Sequence, residues 1–219
     1  MTASPAYSVQ SPSVVLYYPQ NGYRSRENQC DKPETMGTGH PAWLRTDMIS
    51  ILNYTEYRHD GVCFILATET VPCPICGGKL FVHGTCRRKC ITPDGIVTFG
   101  LRVMECRKCH HTHRELPCGV APYKRYCAEI IADCNGEFCP DSVGEFSVFL
   151  RLKEWLKWFL AYAEKVMNGL TAVHNTVLFI PGNLTSAEQL IYLVRLTANS
   201  GFWVQHRSAL RMQTDSGML

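Results

Sequence analysis

Residues 73–109 read CPICGGKLFVHGTCRRKCITPDGIVTFGLRVMECRKC, and the rest of the chain is interpreted around them. The stretch opens on Cys73-x-x-Cys76 and closes on Cys106-x-x-Cys109, with 29 residues between the two pairs. Inside it, Lys79–His83 alternates as a strand does, and Pro93-Asp94-Gly95 is a strong turn. Ile96–Met104 is the return strand. A hairpin of this length folds the second pair back onto the first. Gly77-Gly78, directly after the first pair, eases the backbone where it bends around whatever the cysteines hold.

Four thiolates delivered as two CxxC knuckles suit a tetrahedral structural zinc site. Cys73, Cys76, Cys106 and Cys109 are therefore the expected ligands of one Zn2+. Four cysteines close the shell and leave no open position for catalysis. A redox pair would need one CxxC at the start of a helix in a βαβ setting, and that setting is absent. His83, Cys86, Cys90, His110, His111, His113 and Cys118 crowd the same segment and read as exposed or packing residues. Cys86-x3-Cys90 with His110 or His113 could hold a second ion, an alternative that the spacing does not decide.

Outward from the hairpin, the expected organisation is α+β: a zinc-ribbon module over 73–121, then a helical region over 122–200. Tyr126, Ile130, Ile131 and Cys134 recur at helix spacing, and Asn135-Gly136 ends that element. Ser142-x-x-Glu145 reads as a capping box opening an amphipathic helix to about Met167, its apolar face made of Phe146, Phe149, Leu150, Leu152, Trp155, Leu156, Phe159 and Tyr162, with Trp158 also a core residue. Thr185-x-x-Glu188 opens another, stopped by Gly201. Before the ribbon, Trp43, Leu44, Met48, Ile49, Ile51 and Leu52 predict a helix within 41–72, and Val62–Leu66 predicts a strand. Residues 1–40, with the β-prone run Val14–Tyr18, read as a poorly ordered arm, and 201–219 as a tail.

Hydrophobic residues make up 46% of the chain and charged residues 19%, which excludes a disordered scaffold. No apolar run is long enough to span a membrane, and the first residues lack the pattern of a secretory signal. A cytoplasmic protein with free or metal-bound thiols is expected. The charge is uneven. Residues 73–126 carry 10 Lys/Arg against 3 Asp/Glu, a net of +7, whereas 1–72 (5 against 7) and 127–219 (7 against 9) are each −2. A basic segment braced by metal favours a polyanion.

The stretch CPICGGKL…HGTCRRKCITPDG…RVMECRKCHHTHRELPCGVAPYKRYCAEII resembles the zinc-ribbon opening of bacterial insertion-sequence transposases. It also resembles an uncharacterised bacterial family with CPxCGG, HG…RR, RVRCxxCxxTHRxLP and PYKRY in that order. Those motifs fall here at Cys73–Gly78, His83–Arg88, Arg102–Pro117 and Pro122–Tyr126. The resemblance implies DNA binding associated with a mobile element. It also implies a helix-turn-helix and a Trp-containing helix after the ribbon, reaching Trp158. No acidic triad of transposase type is recognisable.

The phosphate-contacting candidates are Arg87, Arg88, Lys89, Arg102, Arg107, Lys108, Arg114, Lys124 and Arg125. Arg151 and Lys153 would lie on a groove-reading helix. Against that helix, 127–149 holds Glu129, Asp133, Glu137, Asp141 and Glu145 and no basic residue. Two functions fit: binding of double-stranded DNA as a regulator or accessory factor, with a protein partner such as a transposase, or a zinc-ribbon docking module within a larger assembly. An enzyme is not expected, because no nucleophile–base–orienter set or phosphate loop stands at recognisable spacing.

Overall fold

The computed structural model describes residues 48–175 and 178–203. The expected arm, the first half of the expected early helix and all but the start of the tail lie outside the described residues. The fold is α+β. Strands β1 (Met48–Ile51), β2 (Tyr54–His59), β3 (Val62–Ala67), β4 (Leu80–Thr92), β5 (Gly95–Cys106) and β6 (Thr112–Pro117) form one curled six-stranded sheet. Helices α1 (Ala128–Asp133), α2 (Phe146–His174) and α3 (Ser186–Asn199) follow.

The expected hairpin is the spine of this sheet. β4 and β5 pair antiparallel from Leu80↔Cys106 to Thr92↔Gly95, with one irregularity between Val82 and Gly84. The other edge of β5 is shared. Its early part pairs parallel with β3 (Val62↔Thr98 to Phe64↔Gly100), and its later part pairs antiparallel with β6 (Val103↔Arg114 to Glu105↔Thr112). Two strands leaving one edge in sequence make the sheet curl. The hairpin is thus no separate ribbon: Ile91 N–H donates to the Arg125 carbonyl, and Cys127 N–H donates to the Ile91 carbonyl, tying the next segment to β4.

The early helix is corrected where it is described: Met48–Ile51 is a strand, parallel to β6 from Met48↔Arg114 to Ile51↔Pro117. Met48, Ile49 and Ile51 have a spacing that suits either element, and burial of all four residues by β6 and α3 decides for a strand. Its edge is closed by α3. Ser50 N–H donates to Asn199 Oδ1 (2.8 Å), and Asn199 Nδ2 donates to the Ser50 carbonyl (2.9 Å), as a neighbouring strand would. β2, which the sequence reading did not anticipate, turns into β3 through Asp60-Gly61, both at positive φ (48° and 72°), as a two-residue hairpin demands.

The Ser142 capping box does not form. Asp141–Val143 is a 3₁₀ turn, Gly144 sits at φ 72°, and α2 starts with Glu145 as N-cap. A left-handed residue two places after Ser142 keeps 143–145 from being a first helical turn. The irregular connection 134–145 between the six-residue α1 and α2 is also far longer than the turn of a helix-turn-helix. The Thr185–Glu188 box forms as expected, with Glu188 N–H donating to Thr185 Oγ1 and Thr185 N–H to Glu188 Oε2. α2 buries Phe149, Leu152, Trp155, Leu156, Phe159, Ala163, Val166 and Leu170, an amphipathic stripe, whereas Phe146 and Leu150 of the expected apolar face are exposed. Trp155 stacks on Phe159, which also meets Trp203, so Trp203, at the start of the expected tail, is part of the core. No described helix is long and apolar enough to cross a membrane.

A charged latch joins α3 to the β1–β2 turn. Arg195 pairs with Glu69 through both carboxylate oxygens (2.8 and 2.9 Å) and donates to the Ser50 carbonyl. Glu69 also accepts the N–H groups of Leu52 and Asn53. Arg195, and then these N–H donors acting against burial, hold the Glu69 carboxyl at about 2. A carboxylate depressed in the folded state stabilises the fold above its unfolded value of about 4.3 and loses that contribution as pH falls toward 2. Glu69→Gln should therefore cost roughly 1–3 kcal/mol at neutral pH, a cost that shrinks steadily as pH falls through about 2. Denaturant titrations of both proteins across pH 2–7 read this as a difference, in which effects common to both cancel.

Candidate metal centre

The two knuckles have the same backbone. Gly77 N–H donates to the Cys73 carbonyl and Cys73 N–H to the Gly78 carbonyl; His110 N–H donates to the Cys106 carbonyl and Cys106 N–H to the His111 carbonyl. The residue after the second cysteine is left-handed in both, Gly77 at φ 68° and His110 at φ 58°. Each turn aims N–H groups at its first sulfur: those of Ile75 and Cys76 at Cys73, and those of Lys108 and Cys109 at Cys106. β5 carries Cys106 as its last residue, and its pairing with Leu80 sets the first knuckle opposite the second.

The four sulfurs consequently converge. Cys73, Cys76, Cys106 and Cys109 lie within 4.8 Å of one another, with Cys73–Cys109 at 3.6 Å and Cys76–Cys106 at 3.4 Å. A tetrahedron with metal–sulfur bonds of about 2.3 Å sets sulfurs about 3.8 Å apart, so the separations suit a shared cation and are too long for disulfides. Gly78 forms part of the cradle. A Cβ there would stand 2.8 Å from Cys106 Sγ and 3.2 Å from Cys76 Sγ. The second glycine thus does more than bend the chain: its bareness makes room for the sulfurs.

The thiols carry the electrostatic mark of crowding. Burial raises Cys73 and pushes Cys109 up to about 12. Burial also acts to raise Cys106, but N–H donation from Cys109 and Lys108 and the neighbouring sulfurs outweigh it and bring that thiol down to about 7. Cys106 ionises readily while Cys73 and Cys109 resist, a conflict that a cation shared by the sulfurs would remove.

His113, read from sequence as a packing residue, is fully buried with Nε2 3.4 Å from Cys73 Sγ. Toward a thiolate, Nε2–H is a donor, the orienting contact that metal ligands commonly receive. The alternation of β6, where His113 pairs across to Met104, is the sequence signal that could have found it. Gly201, at φ 79°, brings the end of α3 so close that a Cβ would meet the Pro74 carbonyl at 2.5 Å. The first knuckle is therefore wedged between the second knuckle and α3.

The basic candidates divide. Arg87 and Lys89 are exposed on β4, Arg107 and Lys108 on the second knuckle, Arg125 before α1 and Arg151 on α2. Arg88 and Arg102 are half-buried and engaged within the fold. Arg88 donates to the carbonyls of Ala121 (2.8 Å) and Lys124 (2.7 Å), and Arg102 forms a two-pronged ion pair with the buried Glu115. Arg114 is half-buried on β6, and half-buried Lys124 lies over the Trp155 ring. Lys153 donates to the Gly136 carbonyl and lies over Phe149, which fastens the 134–145 connection to α2. Lys79 adds a further exposed cation beside the knuckles. Lys79 approaches the Phe81 ring together with Arg107, whose guanidinium sits 3.9 Å from the ring centre.

Residues 73–146 match a family described as a domain of unknown function (DUF6431). The match begins at the first knuckle and ends at the start of α2, so it takes in the whole metal centre. No curated protein and no solved structure matches the chain.

The cradle makes a sharp distinction between adjacent glycines. Gly78→Ala should weaken metal affinity by roughly tenfold or more, as displacement of a ligand shell does, read by competition with a chromophoric chelator. Gly77→Ala meets no atom within 4 Å and should leave affinity near the parent, with a stability loss of about 1 kcal/mol from the left-handed backbone. His110→Gly should stabilise by a similar amount, seen as a raised denaturation midpoint.

Proposed function

We propose that this chain holds one structural zinc ion on Cys73, Cys76, Cys106 and Cys109 and uses the cationic surface around the knuckles to bind double-stranded DNA. Zinc is favoured by the donor set: four soft thiolates in a closed tetrahedral arrangement, braced by N–H donors. The observation that carries the DNA reading is the cluster on the knuckles. Lys79 and Arg107 share the Phe81 ring, and exposed Lys108 adjoins Arg107 with its Nζ 3.5 Å from the Cys76 carbonyl. Cations held on a rigid turn meet phosphates with little ordering cost. The resemblance to transposase zinc ribbons points the same way and supports a role beside a mobile element.

A second reading, docking onto a protein, draws on a different surface. Phe138 is 84% and Phe146 63% exposed, and Glu137, Asp141 and Glu145 stand beside them in the chain. Exposed aromatics of this size mark contact sites in many soluble proteins.

Metal analysis of the purified protein should return about one zinc per chain, and Cys73→Ser should lose it together with much of the stability of the sheet. In gel shifts with random-sequence duplex DNA, affinity should fall log-linearly with salt. Lys79→Gln, Arg107→Gln and Lys108→Gln together should reduce the slope by roughly 2–3, for every sequence tested. Parent-like duplex binding by that triple variant would remove the knuckles from the interface. No duplex binding by the parent, with a co-purifying protein instead, would put the docking reading first.

A further inference from the structure

The sheet ends at an edge that no described strand pairs with. β2 is the last strand in the order, bonded to β3 alone, and takes part in no isolated bridge. The hairpin fixes which way its backbone groups face. Thr68 N–H donates to the Asn53 carbonyl, and these two residues continue the β2–β3 register by one pair. Hydrogen-bonded pairs alternate along an antiparallel ladder, so Thr55, Tyr57 and His59 bond across to β3. Tyr54, Glu56 and Arg58 therefore turn their N–H and C=O groups outward, to the open edge. The strand is largely exposed and in unbroken register, without the proline, lysine or bulge that commonly blunts an edge. Glu56 and Arg58, two residues apart, share one face, and both reach the Cys63 sulfur, with Glu56 Oε2 2.9 Å from it. Neither forms an ion pair among the described residues.

We propose that a second copy of this chain takes this edge, its β2 pairing antiparallel with β2 about a two-fold axis at Tyr57. In that register Glu56 stands opposite Arg58 of the second copy, and Arg58 stands opposite Glu56 of the second copy. Both are hydrogen-bonded pairs, because these are the residues whose backbone groups face outward. Each also sets opposite charges side by side on one face of the sheet, twice over by symmetry. The register is selected against its neighbours. Shifting it by two residues one way sets Glu56 against Glu56, and the other way sets Arg58 against Arg58. Shifting it by one residue puts the outward N–H and C=O groups out of step. A strand that reads Glu-x-Arg about its centre is thus its own complement. The proposal does not draw on the DNA reading, and the knuckle residues take no part in it.

The test follows the mass of the zinc-loaded full chain by sedimentation equilibrium over a broad concentration range. The parent should move from the chain mass of 24.8 kDa to twice that value as concentration rises. Glu56→Arg or Arg58→Glu alone sets like charges opposite each other at both pairs and should weaken dimerisation roughly tenfold or more. The two single variants mixed in equal amounts should dimerise with each other as the parent does, which misfolded chains would not do. Amide hydrogen exchange should show Glu56 and Arg58 protected only in the dimer, and Thr55 and Tyr57 protected in both states. A parent that stays monomeric throughout overturns the proposal, as does a dimer indifferent to both single changes. Failure of the mixed variants to associate assigns the dimer to another surface and overturns it equally. Protection of the Glu56 and Arg58 amides in a monomer gives the edge to another segment of the same chain. Their protection only by a co-purified protein gives it to a different partner, and either result overturns the second copy as occupant.

Discussion

Four cysteine sulfurs within 4.8 Å of one another are first of all an electrostatic constraint. Cys106 can ionise near neutral pH, but burial and the neighbouring sulfurs hold Cys109 as a thiol to about 12. A dication removes the conflict, because it makes four thiolates compatible in one corner. The location of that corner matters more than its chemistry. The first knuckle follows β3 and precedes β4, and the second ends β5 and leads into β6. Joining them closes the open end of the β4–β5 hairpin, where the β6 branch of the sheet departs, while the β3 branch leaves β5 nearer the turn. Gly201 rests the end of α3 on the same knuckle at Pro74, and the Asn199 and Arg195 contacts to β1 lie just upstream on that helix. The helix layer is thus registered against the sheet at the metal centre.

The basic segment serves two purposes that its composition does not separate. Arg88 and Arg102 are structural: one guanidinium holds two backbone carbonyls of the 121–124 segment, and the other neutralises a buried carboxylate. At Arg102 the planar guanidinium uses two of its nitrogens on one carboxylate, a fork that a lysine could not reproduce. The remaining cations are left at the surface because the sheet alternates. Arg87 and Lys89 flank Arg88 on β4 and necessarily face the opposite side. A single run, Arg87-Arg88-Lys89, therefore supplies the interior and the exposed face at once.

Much of this fold was legible where a local signal had one meaning. Pro93-Asp94-Gly95 specified the hairpin, Thr185–Glu188 the start of α3, and the stripe from Phe149 onward the buried face of α2. Signals with two meanings failed. Met48–Ile51 suits a helix or a strand, and only β6 and α3 decide between them. Ser142-x-x-Glu145 has the letters of a capping box, yet Gly144 takes a left-handed conformation between them. Asp60-Gly61 has the letters of a two-residue hairpin turn, and β2 is the strand ahead of it.

By itself, the sequence determined the elements whose signals are short-range: the two CxxC knuckles, the hairpin between them and the amphipathic helices. It did so because turn chemistry and hydrophobic period act over a few residues. Tertiary structure alone decided that His113 lies against Cys73, that Gly78 makes room for sulfur, and that Arg88 and Arg102 turn inward. It also decided that Tyr57, Phe64, Gly100 and Arg87 share one row. These residues are brought together by strand register across the sheet. Register is set by which strands pair and which face is buried, and no window of the sequence contains that information.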